Sequence, residues 1–117
     1  MRGSVAAVDT TQLLKGVLDL AVLAVLDDKD GYGYDVVRRL REAGLTDVGD
    51  ASVYGTLRRL FQAGALTSYV VPSDAGPHRK YYGLNDAGRA QLARSGTDWR
   101  SFATAVDSLL RPIREIA

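Results

Sequence analysis

Cysteine is absent from this chain of 117 residues, which excludes a disulfide framework, a thiolate nucleophile, a thiol metal site and a thiol redox sensor, and suits a reducing cytoplasm. Histidine is nearly absent too. His78 is the single one, and with no metal-ligand spacing and no nucleophile motif the sequence assigns no catalytic residue, no metal and no cofactor, so an enzyme is the least supported class. Long apolar runs are missing: residues 20–26 form the most apolar stretch and follow directly on Asp19, far short of the roughly 20 residues needed to cross a bilayer. No membrane association and no secretory signal are expected. Nor does one sign of charge dominate, since 15 basic and 14 acidic residues leave a net charge of +1. The molecule as a whole is not drawn to polyanions, and any nucleic-acid surface must be local.

Local concentration is what the sequence does have. Between residues 51 and 84 the charged side chains are Arg58, Arg59, Arg79 and Lys80 against the single acid Asp74, while Asp27, Asp28, Asp30, Asp35 and Asp47 lie upstream. On a helix of about 3.6 residues per turn, Val53, Leu57, Leu60 and Phe61 share one apolar stripe, and Ala51, Gly55, Arg58, Arg59 and Gln62 fall on the opposite side. LTSYVV and RKYYGL follow as strands, separated by PSDAGPH, whose proline, glycine and aspartate form turns. A helix with guanidinium groups and no acid on its free face, then a basic-tipped hairpin, is the order of a winged helix-turn-helix. Guanidinium groups suit phosphate oxygens and the acceptor edges of guanine, so the implied partner is double-stranded DNA.

Upstream, Thr10 or Thr11 is placed to cap a first helix running to about Leu26, whose sequence QLLKGVLDLAVLAVL is apolar on most sides and requires burial nearly all round. DDKD with Gly31 and Gly33 ends it. Tyr34, Val37, Leu40 and Ala43 then mark a short second helix ending at Gly44. Gly49 or Asp50 starts the third, the acid complementing the helix dipole, and Gly64 stands at its left-handed C-terminal position. Gly31 and Gly33 look like the opening of a G-x-G-x-x-G loop, but Val36 occupies the third glycine position and no strand precedes, so nucleotide binding is rejected.

Asn85 caps a fourth helix in which Leu92, Trp99, Phe102, Val106, Leu109 and Ile113 follow heptad spacing, as expected of a helix lying along another helix. The first five of these form the expected dimer interface. Ser95 interrupts the seam, Gly96 costs about 1 kcal/mol relative to alanine, and Pro112 disfavours continuation past Arg111. The expected architecture is mainly α with a small β-hairpin: an N-terminal arm over 1–9, a winged helix-turn-helix over 10–84, a long C-terminal dimerisation helix over 85–111, and a tail over 112–117. Residues 1–4, MRGS, read equally as a native start or a vector-derived leader.

Each candidate residue has a plainer reading. Beside Arg79 and Lys80, the pair Arg58 and Arg59 reads as a binding surface rather than a solvated helix face. For Gly55, neutral drift and close approach of the backbone to a groove floor stand level. Tyr54 suits packing and a phosphate contact at once. Of Tyr81 and Tyr82, one packs inward, and His78 is assigned no role. Trp99 fits a dimer core or the wall of a ligand cavity. The alternative function is a protein–protein adaptor without sequence-specific DNA binding, whose association would lack the steep salt dependence of phosphate neutralisation.

The segments LLKGVLDLAVLAVL with GYGYDVVRRL, ASVYGTLRRLFQAGAL and GPHRKYYGLNDAGRAQL, in that order over residues 12–110, resemble the PadR family of transcriptional regulators in its short form with one C-terminal helix. The resemblance implies a homodimeric repressor whose third helix enters the major groove, whose hairpin touches the backbone or minor groove, and whose last helix dimerises with help from the first. It implies Ser52, Tyr54 and Arg58 at or near DNA, with Arg79 and Lys80 as the wing pair. Trp99 matches a tryptophan of the family's multidrug-binding branch, which stacks on flat aromatic ligands at the dimer centre. That match places a small aromatic or hydrophobic effector beside Trp99, Phe102, Leu14 and Leu18. Tyr32 stands where many relatives have histidine, Gly49 and Asp50 replace the commoner Ser-Pro, and Gly55 replaces a frequent proline. Helix-start residues help set the docking angle, so no relative's operator transfers.

Overall fold

Apolar side chains at helical spacing converge on one core in the computed structural model, which describes residues 11–110. The arm 1–9, the Thr10 cap, Arg111, Pro112, Ile113 and the rest of the tail lie outside the described residues. Helix α1 (Thr11–Asp28) contributes Leu14, Val22, Leu23 and Leu26, α2 (Gly33–Glu42) contributes Val36, Val37 and Leu40, and α3 (Asp50–Gln62) contributes Val53, Leu57 and Leu60. Val48, Ala65 and Leu66 close the cluster. Among the described residues no helix is long and apolar enough to cross a membrane.

Two glycines set the turns that follow the second and third helices. Gly44 and Gly64 have φ of 113° and 86°, a left-handed conformation open to glycine at little cost. Each follows its helix in the same bonding pattern: the amides of Gly44 and Leu45 donate to the carbonyls of Arg41 and Leu40, and those of Gly64 and Ala65 to Phe61 and Leu60. This double closure satisfies the last carbonyls and returns the chain to the core. Across the turn, Arg41 donates to the Val48 carbonyl and, at 2.9 Å, to Asp50 at the start of α3, compensating for an N-cap, Gly49, without a side chain.

Strands β2 (Leu66–Val71) and β3 (Arg79–Leu84) pair antiparallel in register from Leu66 opposite Leu84 to Val71 opposite Arg79. A third strand was not expected. Gly31 and Tyr32 form β1 and pair with Tyr82 and Tyr81, giving the order β1-β3-β2. The glycines after α1 therefore do more than break a helix. The turn before β1 is fastened by Arg39, which donates to the Val25 and Lys29 carbonyls and is held in turn by buried Asp35. Asp35 thus counts as an internal partner of Arg38 and Arg39 rather than as surface acid.

Helix α4 (Asp86–Leu109) begins where the Asn85 side chain accepts the Gly88 amide at 2.8 Å and donates to the Gly64 carbonyl. Gly88 sits directly on the Ala65 carbonyl, leaving no room for a Cβ. Leu92, expected to open the dimer seam, packs partly buried against the core of its own chain, because this seating lays the first turns of α4 across the domain. Farther along, α4 projects away. The radius of gyration is 17.2 Å, against about 13 Å for a compact domain of about 100 residues. Gly88→Ala gains about 1 kcal/mol of helix propensity but drives a methyl into a fixed backbone oxygen. A net destabilisation of about 1–3 kcal/mol is expected, read as a lower denaturation midpoint; an unchanged or higher midpoint would show that α4 does not need this close seating.

Candidate nucleic-acid interface

Helix α3 turns Leu57 and Leu60 inward, and its hydrogen-bonded ladder then carries Ala51, Ser52 and Arg58 to the surface. Arg58 has no ion-pair or hydrogen-bond partner among the described residues. Gly55 has no atom within 4 Å of where a Cβ would stand, so nothing inside the protomer requires glycine there. Tyr54, half exposed, lays its ring against Gly33, where any side chain would overlap it.

The wing supplies two more cations, and aromatic rings hold both. The Arg79 guanidinium lies 4.5 Å over the Tyr32 ring. The Lys80 ammonium lies 5.4 Å from the Phe61 ring and 5.5 Å from the Tyr82 ring. Ring quadrupoles stabilise these cations without neutralising them. Tyr54, Arg58, Arg79 and Lys80 thereby surround a cleft of about 300 Å³ between the start of α2, α3 and the wing, and no carboxylate lines it. Tyr32 and Tyr34 complete the wall. Sequence reasoning assigned them no site role: Tyr34 was placed on the apolar stripe of the second helix, yet it is exposed. The signal was there in the aromatic and glycine alternation GYGY beside a basic hairpin. Phe61 also departs from expectation, since it stands 40% exposed as the platform for Lys80 instead of entering the core. Tyr82 takes the inward place of the tyrosine pair, packing edge-on against Phe61.

Arg59 corrects the expectation of two free guanidinium groups. Its Nη1 and Nη2 donate to the two carboxylate oxygens of Asp19 on α1 at 2.8 and 2.9 Å. One residue on from Arg58, it is rotated by about 100° and faces a different neighbour. Ser52 lies on the same side, bordering a hollow that it shares with Asp47, Gly49 and Arg59. The bonds from Arg59 hold the Asp19 carboxyl below its ordinary range despite partial burial. A depressed carboxyl stabilises the fold above its unfolded pKa, so this contribution is complete at neutral pH and is lost only as acid passes through the lowered value. Both partners are substantially exposed. Arg59→Ala is accordingly expected to cost less than about 1 kcal/mol of stability and to leave base preference unchanged in competition binding; a switch in preferred sequence would restore Arg59 to the reading surface.

A second feature lies between α1 and α4. Trp99 and Phe102, ring centroids 6.4 Å apart, line an open groove of about 840 Å³. Its α1 wall mixes apolar Leu13, Val17 and Leu20 with Gln12, Lys15 and Asp19. Leu14 and Leu18, expected in this wall, point elsewhere: Leu14 is buried in the core and Leu18 packs against it, since a one-residue offset on α1 turns a side chain away from α4. The seam residues Trp99, Phe102, Val106 and Leu109 all stand exposed, Phe102 at 64% and Leu109 at 79%.

Comparison with known proteins agrees with this geometry. The model of the transcriptional regulator PadR-like family matches residues 22–94. A PadR-like transcriptional regulator from Bacillus cereus is 33% identical, with 87% of this chain and 99% of that one covered, at a TM-score of 0.77. A Streptococcus transcriptional regulator is 34% identical, covering 84% and 96%, at 0.74. A PadR family transcriptional regulator from Eggerthella lenta is 29% identical, covering 89% and 90%, at 0.77.

Proposed function

Because the chain belongs to the PadR-like family of transcriptional regulators, and so is a regulator rather than an enzyme, we propose that it is a homodimeric repressor that binds an inverted-repeat operator. One observation carries the reading: Arg58, Arg79 and Lys80, all without acidic partners among the described residues, converge on a carboxylate-free cleft between α3 and the wing. Converging unpaired cations suit the negative charge of a phosphate backbone, and Arg58 on the exposed helix face is free to reach base edges. Two protomers joined through the exposed seam of α4 set two α3 helices about 34 Å apart, one turn of duplex. Bound there, the dimer occludes a promoter.

The groove at Trp99 and Phe102 adds a control step. A small aromatic or hydrophobic effector bound there alters the spacing of the two α3 helices and releases the operator, with a coupling of order 1–3 kcal/mol. Trp99 is the single tryptophan, so quenching by planar hydrophobic compounds reports occupancy, and fluorescence unchanged across a broad library would speak against this step. The main reading is tested by selecting bound fragments from random duplexes. Enrichment of an inverted repeat with half-site centres about 10 base pairs apart supports it; an isolated half-site, or no enrichment, opposes it.

A further inference from the structure

The face of the wing sheet opposite Tyr82 carries an aromatic ladder. Tyr69 stacks on Tyr81 with centroids 5.7 Å apart and planes at 17°. Tyr81 meets the ring of Tyr32 edge-on at 5.4 Å, and Tyr32 carries the Arg79 guanidinium. At its other end the ladder is tied down, because the Tyr69 hydroxyl donates to Asp30 Oδ2 at 2.6 Å. Asp30 belongs to the turn between α1 and β1, and its carboxylate occupies the space over Gly83 that a Cβ would fill.

We propose that Asp30 and Tyr69 are positioning residues for DNA binding, fastening the wing to the α1–β1 turn so that Arg79 is held at a set angle before DNA arrives. A two-stranded hairpin is marginally stable by itself, and β1 pairs only with Tyr81 and Tyr82, leaving Arg79 and Lys80 without a strand neighbour on that side. A wing free to swing would lose that freedom on binding, at a cost in affinity. The phenol-to-carboxylate bond is charge-assisted and short, and it raises the Tyr69 hydroxyl above the usual phenol range. An acid this close to a DNA-facing hairpin repels phosphate, so its presence calls for a compensating role. The fastening supplies one.

The inference rests on the α3–wing surface binding DNA, and its test separates the two. Tyr69→Phe removes the bond without changing charge. It is expected to weaken binding of a selected duplex about threefold to tenfold, the range one such bond supports, mainly through faster dissociation. In an Arg79→Ala background the same change is expected to have a smaller effect, since only Lys80 then depends on the fastening, which a general loss of stability would not reproduce. Tyr69→Phe binding at full strength, or losing the same factor with and without Arg79, overturns the proposal. Should the unaltered protein fail to bind any duplex, the reading of the surface fails instead, and amide exchange then decides the fastening. Faster exchange across residues 66–71 and 79–84 in Tyr69→Phe upholds it, and unchanged exchange refutes it.

Discussion

Phe102→Glu is expected to yield a folded monomer whose affinity for duplex DNA is at least about a hundredfold lower. The side chain is 64% exposed in the protomer, so its replacement leaves the core intact. In the proposed dimer it lies on the α4 seam with Trp99, Val106 and Leu109, where an unpaired carboxylate facing apolar side chains is strongly unfavourable. The exposure of this apolar stripe on a single protomer supports the proposed interface. Affinity falls because the second α3 helix no longer binds from a tethered position, a gain of about 10²–10⁴ that depends on both half-sites being engaged together. Light scattering gives the mass and fluorescence anisotropy the affinity. A Phe102→Glu protein that stays dimeric would remove the α4 seam from the assembly.

Arg58→Ala is expected to cost about 1–3 kcal/mol on the selected operator and to relax preference at one base position, as loss of a bidentate base contact does. No acid is orphaned by this change, since Arg58 pairs with none among the described residues, and stability should hold. Lys80→Ala provides the contrast. Held over Phe61 and Tyr82 as a point charge, Lys80 suits phosphate, and its loss should weaken all sequences alike. Equal, sequence-blind losses for the two variants would show that α3 does not read bases.

What was legible follows from what each signal encodes. The strand limits and the turn between them could be read because alternation and the PSDAGPH segment are local, and Gly44, Gly64 and Asn85 mark helix ends by the conformations their own residues favour. Helical periodicity also gave the angle at which Arg58 leaves α3. It did not give the neighbour met at that angle. Asp19 lies 40 positions from Arg59, and only packing of α1 on α3 brings them together. The same blindness placed Leu14 and Leu18 in a groove lined by Leu13 and Leu20, and hid the packing of Leu92 on the core of its own chain. Strand β1 spans two residues, too few for any period, so its pairing could not be read even though the GYGY segment stood beside a basic hairpin.

The most direct test of the account is the salt dependence of binding to the selected duplex. Neutralisation of backbone phosphates by Arg79 and Lys80 from two protomers predicts that log K falls linearly with log salt, with a slope of about −0.9 per phosphate contacted, and that Lys80→Ala, which removes one such contact from each protomer, makes the slope shallower by about two. Affinity that stays flat across the same salt range, or a slope that Lys80→Ala leaves untouched, would contradict the claim that this surface binds DNA.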